Sequence, residues 1–265
     1  MLTEMLGKGG QVCQQAREGR IRCPLIIRPS SEDVITGQLF QSLGAIAYRW
    51  WLPECLNLAL GASHFRQQVY RNPRIVLWKN RSAFPRELLP WNEGSTQVDV
   101  TITCENPPTT IFIEMKYGAD LTPRTSGDDG SHGYPSDQLI RNVRVGLLEC
   151  GWFCGNEMFQ VRPRRFCLVV VGPTKGHQLV ATYRDRENLI RAIPHSERLY
   201  SLPDAPFVGE LEYRDIVLIL RRNQRWMTRP ERVVADQLID YLMFKARRVS
   251  SEESLTQKEL PVIEK

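Results

Sequence analysis

Thr96-Gln97-Val98-Asp99-Val100-Thr101-Ile102-Thr103-Cys104, then Glu105-Asn106-Pro107-Pro108-Thr109, then Thr110-Ile111-Phe112-Ile113-Glu114-Met115-Lys116, is the stretch around which the chain is organised. Both flanks are β-branched, apolar and alternating, and Asn106-Pro107-Pro108 cannot continue a strand, so the pattern predicts a β-hairpin. Side chains alternate faces along a strand. Glu114 and Lys116 therefore share one face, roughly 6.6 Å apart at Cα, while Ile113 and Met115 take the other. Asp99 belongs to the face of Gln97 and Thr101. A turn centred near Pro107 sets Asp99 opposite Glu114 or Lys116, whereas a slip of one residue sets it opposite Met115, on the wrong face.

Two carboxylates and an ammonium on otherwise apolar strands need a reason, because isolated charges are costly to bury and crowded carboxylates repel. A hard divalent cation relieves that repulsion: Mg²⁺ takes oxygen ligands and keeps several waters. A coordinated water beside a lysine suits hydrolysis.

Asp99, fourteen intervening residues, and Glu114-Met115-Lys116 resemble the signature of the PD-(D/E)xK nuclease superfamily, with Val98 where the proline that names the motif would stand. Upstream, Glu32-Asp33-Val34-Ile35-Thr36-Gly37-Gln38-Leu39-Phe40 looks like the acidic residue opening that family's first helix. Downstream, Asp137-Gln138-Leu139-Ile140-Arg141-Asn142 looks like its glutamine helix. The likeness covers residues 30 to 145.

The resemblance implies an α/β restriction-endonuclease-like fold, a three-layer sandwich with a mixed central sheet flanked by helices. It also implies a Mg²⁺- or Mn²⁺-dependent endodeoxyribonuclease that hydrolyses phosphodiester bonds of DNA. On that reading Asp99 and Glu114 hold the metal with the Met115 backbone carbonyl and, at one remove, Glu32, with Asp33 as its substitute. Lys116 orients or deprotonates the attacking water, and Gln138 supports the site beside the lysine. Arg141 and Arg144 grip phosphates. Relatives of this kind often serve in restriction or phage defence, which implies a protein partner such as an ATPase, helicase or sensor subunit. The alternative is a non-catalytic or partner-activated DNA-binding or scaffold subunit of the same fold.

At 265 residues with 42% apolar content the chain can bury a substantial core. Its net charge of +5 is modest. Basic residues are dense from Arg141 to Arg165 and from Arg214 to Arg232, which suits a phosphate backbone or an ordinary solvated face. Seven irregularly spaced cysteines argue against a disulfide framework and for a reducing compartment. Cys150 and Cys154 are spaced too widely for a zinc knuckle and read as helix or core residues. With no long apolar run and no signal-peptide core, a cytoplasmic protein without a membrane span is expected, a homo-oligomer remaining open.

Along the chain, residues 1–29 read as an arm, 30–249 as one nuclease-like domain and 250–265 as a frayed, charged tail. Ser30 and Ser31 before Glu32 and Asp33 predict a helix start, with Leu39, Leu43, Ile46 and Ala47 marking its buried face. Trp50 and Trp51 read as core wedges, 54–62 as a short helix, 74–78 as the first strand and 79–95 as a long loop. A turn-rich loop follows Lys116, in which Asp128, Asp129 and His132 carry no complete ligand pattern. A helix from Gln138 buries Leu139, Val143, Leu147 and Leu148. Residues 165–172 read as a central strand, 184–193 as a helix, Pro194 to Pro206 as a loop and 214–220 as another buried strand. A last helix begins near Pro230.

Overall fold

The computed structural model describes residues 31–63, 65, 69–82, 94–117, 121, 133–153, 163–199, 201–203 and 206–256, with backbone alone from 247. The expectations for the arm at 1–29, the loop interior at 83–93, Asp128, Asp129, His132, Cys154 and the last nine residues lie outside the described residues.

The hairpin forms as its sequence predicts. Strands β1 (Arg74–Arg81), β2 (Thr96–Cys104) and β3 (Thr109–Met115) run antiparallel in order. Val100 pairs with Ile113 and Ile102 with Ile111, a register that sets Asp99 opposite Glu114. Strand β4 (Arg165–Gly172) joins β3 in parallel, and β5 (Val208–Glu212) joins β4 in parallel. The result is a five-stranded mixed sheet in the order β1-β2-β3-β4-β5.

Alternation along these strands makes two cores, one on each face. Val100, Ile102, Ile111, Ile113, Cys167 and Val169 meet helices α1 (Glu32–Gly44) and α2 (Leu52–Leu60), together with the C-terminal helices. Phe112, Phe166, Leu168 and Val170 meet α3 (Gln138–Glu149), α4 (Gln178–Arg184) and α5 (Arg186–Arg191). The architecture is a three-layer α/β sandwich. Two glycines record how closely the layers approach. A Cβ on Gly146 of α3 would lie 2.1 Å from the Phe166 ring, and one on Gly209 of β5 would lie 2.1 Å from the Ala59 carbonyl oxygen of α2.

Residues 214–220 depart from the strand expected of them and form helix α6 (Tyr213–Asn223). Tyr213, Ile216, Val217 and Leu220 are buried at helical spacing, while Arg214, Leu218 and Arg221 face solvent. A reciprocal cap between Glu212 and Asp215 starts the helix immediately after β5, a strand in residues that the sequence reading left unassigned. The last helix, α7, spans Arg229–Thr256, so residues 250–256 continue it where a frayed tail was expected. Trp51 is buried, as a core wedge should be, whereas Trp50 is half-buried with Arg49 stacked 4.5 Å over its ring.

Trp78 in β1 has φ of +51°, an unfavourable backbone for a bulky residue. It falls opposite Asp99, between the pairs Leu77–Val100 and Lys79–Val98. In a regular ladder its side chain would share the face of Asp99. The indole instead points toward Gly37 of α1 in the other layer. Among the described residues, no helix is long and apolar enough to cross a membrane.

Candidate active site at the open end of the central hairpin

Asp99 and Glu114 face each other where β2 and β3 part. The parting is built by Asp99, whose Oδ2 accepts the Met115 N–H at 3.0 Å, so a side chain takes the bond that continued pairing would give to backbone. Asp99 is 2% exposed and Glu114 is 0% exposed, which leaves neither carboxylate to be solvated by bulk water. Protein groups do it instead. Glu114 Oε1 accepts from Gln138 Nε2 at 2.5 Å and meets Lys116 Nζ at 3.1 Å, and its Oε2 accepts from Asn142 Nδ2 at 3.2 Å. Lys116 Nζ donates also to Gln138 Oε1 at 3.3 Å, so that one amide bridges the acid and the ammonium.

Helix α3 supplies this support because Gln138 and Asn142, one turn apart, lie on the same helical face. Asn142 is wholly buried and accepts at Oδ1 from the Thr96 hydroxyl at 2.9 Å, tying α3 to the start of β2. It was not singled out from sequence, although its spacing of four from Gln138 carried the signal. Asp137 caps the helix by accepting from the Ile140 N–H at 3.0 Å, and the Tyr183 hydroxyl donates to its second oxygen.

Burial raises the Asp137 pKa; the bonds from Tyr183 and Ile140 and the nearby Arg144 charge oppose that rise without cancelling it. A carboxyl whose folded pKa lies above its unfolded value contributes stability that is complete at low pH and is lost as pH climbs through the folded pKa. Asp137→Asn keeps the capping oxygen, so urea unfolding from pH 4 upward should show a shallower decline of stability for this variant than for the native chain.

No protein family, curated protein or solved structure matches this chain. Its chemistry is therefore read from the side chains themselves.

Of the groups expected at the site, Asp99, Glu114, Lys116 and Gln138 come together. Glu32 reaches the residue just past the lysine, where its Oε1 accepts the Tyr117 N–H at 3.0 Å; among the described residues no three acids, histidines or cysteines converge as a metal group. The donor pair that faces across the hairpin is Asp99 with Glu114. Two carboxylates facing each other on one face suit Mg²⁺, which is commonly held by one or two carboxylates while waters complete its shell. These two fit such a cation.

The role expected of Arg144 needs correction. Arg144 is 0% exposed; its guanidinium donates to the carbonyls of Ala192, at 2.7 Å, and Pro135, at 2.6 Å, so it joins α3 to its neighbours and cannot reach a phosphate. Arg141 is half-buried and donates to the Gly94 and Ser95 carbonyls at 2.9 and 3.3 Å, bracing the entry to β2. Arg164 likewise donates to the Cys104 carbonyl at 2.9 Å. Carbonyl oxygens thus hold Arg141, Arg144 and Arg164. In the second stretch, Arg214, Arg221, Arg225, Arg229 and Arg232 are exposed.

Cys55, Cys104, Cys150 and Cys167 are free and buried. Burial pushes the Cys104 and Cys150 thiols up to about 11 and that of Cys167 up to about 12, too high for a thiolate nucleophile near neutral pH.

Proposed function

We propose that the chain is a Mg²⁺- or Mn²⁺-dependent endodeoxyribonuclease with a restriction-endonuclease-like fold. The observation that carries the reading is the Asp99–Glu114 register with the Lys116 ammonium 3.1 Å from Glu114 at the open end of the hairpin. Asp99 and Glu114 would hold the cation, with the Met115 carbonyl beside them. A cation bound there would polarise a phosphoryl oxygen and acidify a coordinated water.

The chain's own residues do the rest. Lys116 is a point charge with three donors, held among acceptors and shielded from solvent, and it can steady negative charge that develops on a phosphate oxygen. Its proximity to Glu114 offers a route for a proton. Gln138 keeps both groups in place from α3, and Asn142 restrains the second oxygen of Glu114. Phosphates along the strand would meet the exposed Arg214, next to Tyr213, on this end of the sheet; Lys175, past the end of β4, is exposed but ion-paired with Asp215 at 2.5 Å. DNA as substrate, a place in restriction or phage defence, and dependence on an ATPase, helicase or sensor partner belong to the same proposal and rest on the resemblance of the motif.

A second reading has its own observation. Both oxygens of Glu114 already hold protein donors, an arrangement that also serves a scaffold in which the acid only braces α3 against the sheet. Plasmid nicking separates the two. Under the nuclease reading, purified protein nicks plasmid with Mn²⁺ and not with a chelator, and Asp99→Ala and Lys116→Ala abolish the nicking. Equal nicking by all three proteins removes the catalytic assignment. No nicking by the native chain, alone or with its cellular associates, supports the scaffold.

A further inference from the structure

We infer that Glu32 and Tyr213 are positioning residues that fix the peptide carrying Lys116, and that Glu32 does so as a hydrogen-bond acceptor and not as a metal ligand. The inference rests on the nuclease reading of the same site, and it assigns the opposite layer of the sandwich a part in it.

Lys116 lies one residue beyond β3, where the ladder no longer fixes the chain on both sides. Its side chain reaches the α3 layer, toward Glu114 and Gln138. Its backbone is gripped elsewhere. The Lys116 N–H donates to the Val171 carbonyl of β4 at 2.9 Å. Its carbonyl accepts from the Tyr213 hydroxyl at 3.3 Å, and the next N–H, that of Tyr117, donates to Glu32 at 3.0 Å. Tyr213 comes from α6 and Glu32 from α1, both on the face away from Asp99. Every polar group of that peptide is thereby held by a different element.

Packing removes the remaining freedom. A Cβ on Gly172 would stand 3.2 Å from the Lys116 carbonyl oxygen, so β4 already crowds the peptide from its own side. Tyr117 is buried, and its ring lies 5.5 Å from the Lys245 ammonium of α7, which also sits 5.4 Å from the Tyr241 ring. A turn of the peptide about its ends would swing Nζ away from Glu114, and a misplacement of about 1 Å in a reacting group is costly. Glu32 approaches from the α1 side, with one oxygen committed to Tyr117, whereas Asp99 and Glu114 share the α3 side. One carboxylate is thus an anchor and the other two are ligands.

The test uses the full chain in three variants. Glu32→Gln keeps an acceptor oxygen and loses the charge, Glu32→Ala loses both, and Tyr213→Phe loses only the hydroxyl. Without metal, hydrogen exchange at the Tyr117 amide should accelerate about tenfold or more in Glu32→Ala and stay native in Glu32→Gln. The NMR chemical shift of the Lys116 backbone amide should move in Glu32→Ala and in Tyr213→Phe but not in Glu32→Gln. Mn²⁺ affinity by calorimetry should stay within about twofold of native in all three while Asp99→Ala loses it.

A Glu32→Gln protein that loses Mn²⁺ affinity as Asp99→Ala does would make Glu32 a ligand and overturn the inference. So would native exchange at Tyr117 together with a native Lys116 amide shift in Glu32→Ala. If Glu32→Ala does not fold, the Lys116 amide shift in Tyr213→Phe decides alone. A native chain that neither binds Mn²⁺ nor nicks DNA sinks the nuclease reading, and the exchange and chemical-shift data still judge the anchor.

Discussion

Lys116→Met is expected to cost about 3–5 kcal/mol of folding stability, because it removes the cationic partner of Glu114 at a site that is 0% exposed and leaves that acid to the Gln138 and Asn142 amides. Glu114→Gln strands the ammonium of Lys116 instead, which is 9% exposed at the side chain, and is expected to cost somewhat less. The double variant removes both charges. Gln138 and Asn142 can then satisfy a neutral amide by turning their own amides, and stability should return to within about 1 kcal/mol of the native chain. Urea unfolding of the four proteins gives the cycle. Nicking behaves differently: a lost proton-transfer or charge-stabilising group lowers rates by about 10²–10⁴-fold, and the double variant should be as inactive as either single one. Recovery of stability without recovery of nicking distinguishes a working charge pair from a structural one. Recovery of both would show that the pair serves the fold alone.

Gly209→Ala is expected to be the most damaging single methyl addition in the described core. Its Cβ would sit 2.1 Å from the oxygen and 2.7 Å from the carbon of the Ala59 carbonyl, and a helix backbone cannot rotate aside as a side chain can. Either β5 leaves β4 or α2 leaves the sheet. The cost should reach the upper end of the 1–3 kcal/mol range of overpacking or exceed it, and thermal unfolding should drop by about 5 °C or more. Gly146→Ala offers a control. Its clash is with the Phe166 ring, which packs edge-on against Phe112 at 5.2 Å, so pairing it with Phe166→Leu should restore part of the loss. No second substitution of a side chain can do so for Gly209.

The hairpin was legible because three signals agree on it: alternation, β-branching and a turn that strands cannot cross. Its register then followed, and with it the placing of Asp99 opposite Glu114. The first helix and the central strand at 165–172 were legible on the same grounds. The run at 214–220 was not, since Ile216, Val217, Ile219 and Leu220 satisfy both the buried-strand and the helical pattern. Glu212 and Asp215 decide between the two, by closing a cap that a strand has no use for. The short β5 was hidden by the prolines before it. Within the site, the hydrogen-bonding role of Gln138 was readable from its place in the motif, whereas Arg144 was misread because a guanidinium has the same letters whether it meets phosphate or a carbonyl. Sequence placed Glu32 near the lysine and could not say that it would touch the Tyr117 N–H.

The kink at Trp78 reaches beyond the site. Strand β1 is the outer rim of the sheet, and a long regular rim is an invitation for another chain to lay its own backbone alongside. A tryptophan turned onto the far side after four residues breaks that rim into pieces too short to zip. Copies of this protein should therefore resist stacking rim to rim into fibrils even when crowded, and the same distortion that turns the indole away from the face of Asp99 doubles as insurance against aggregation.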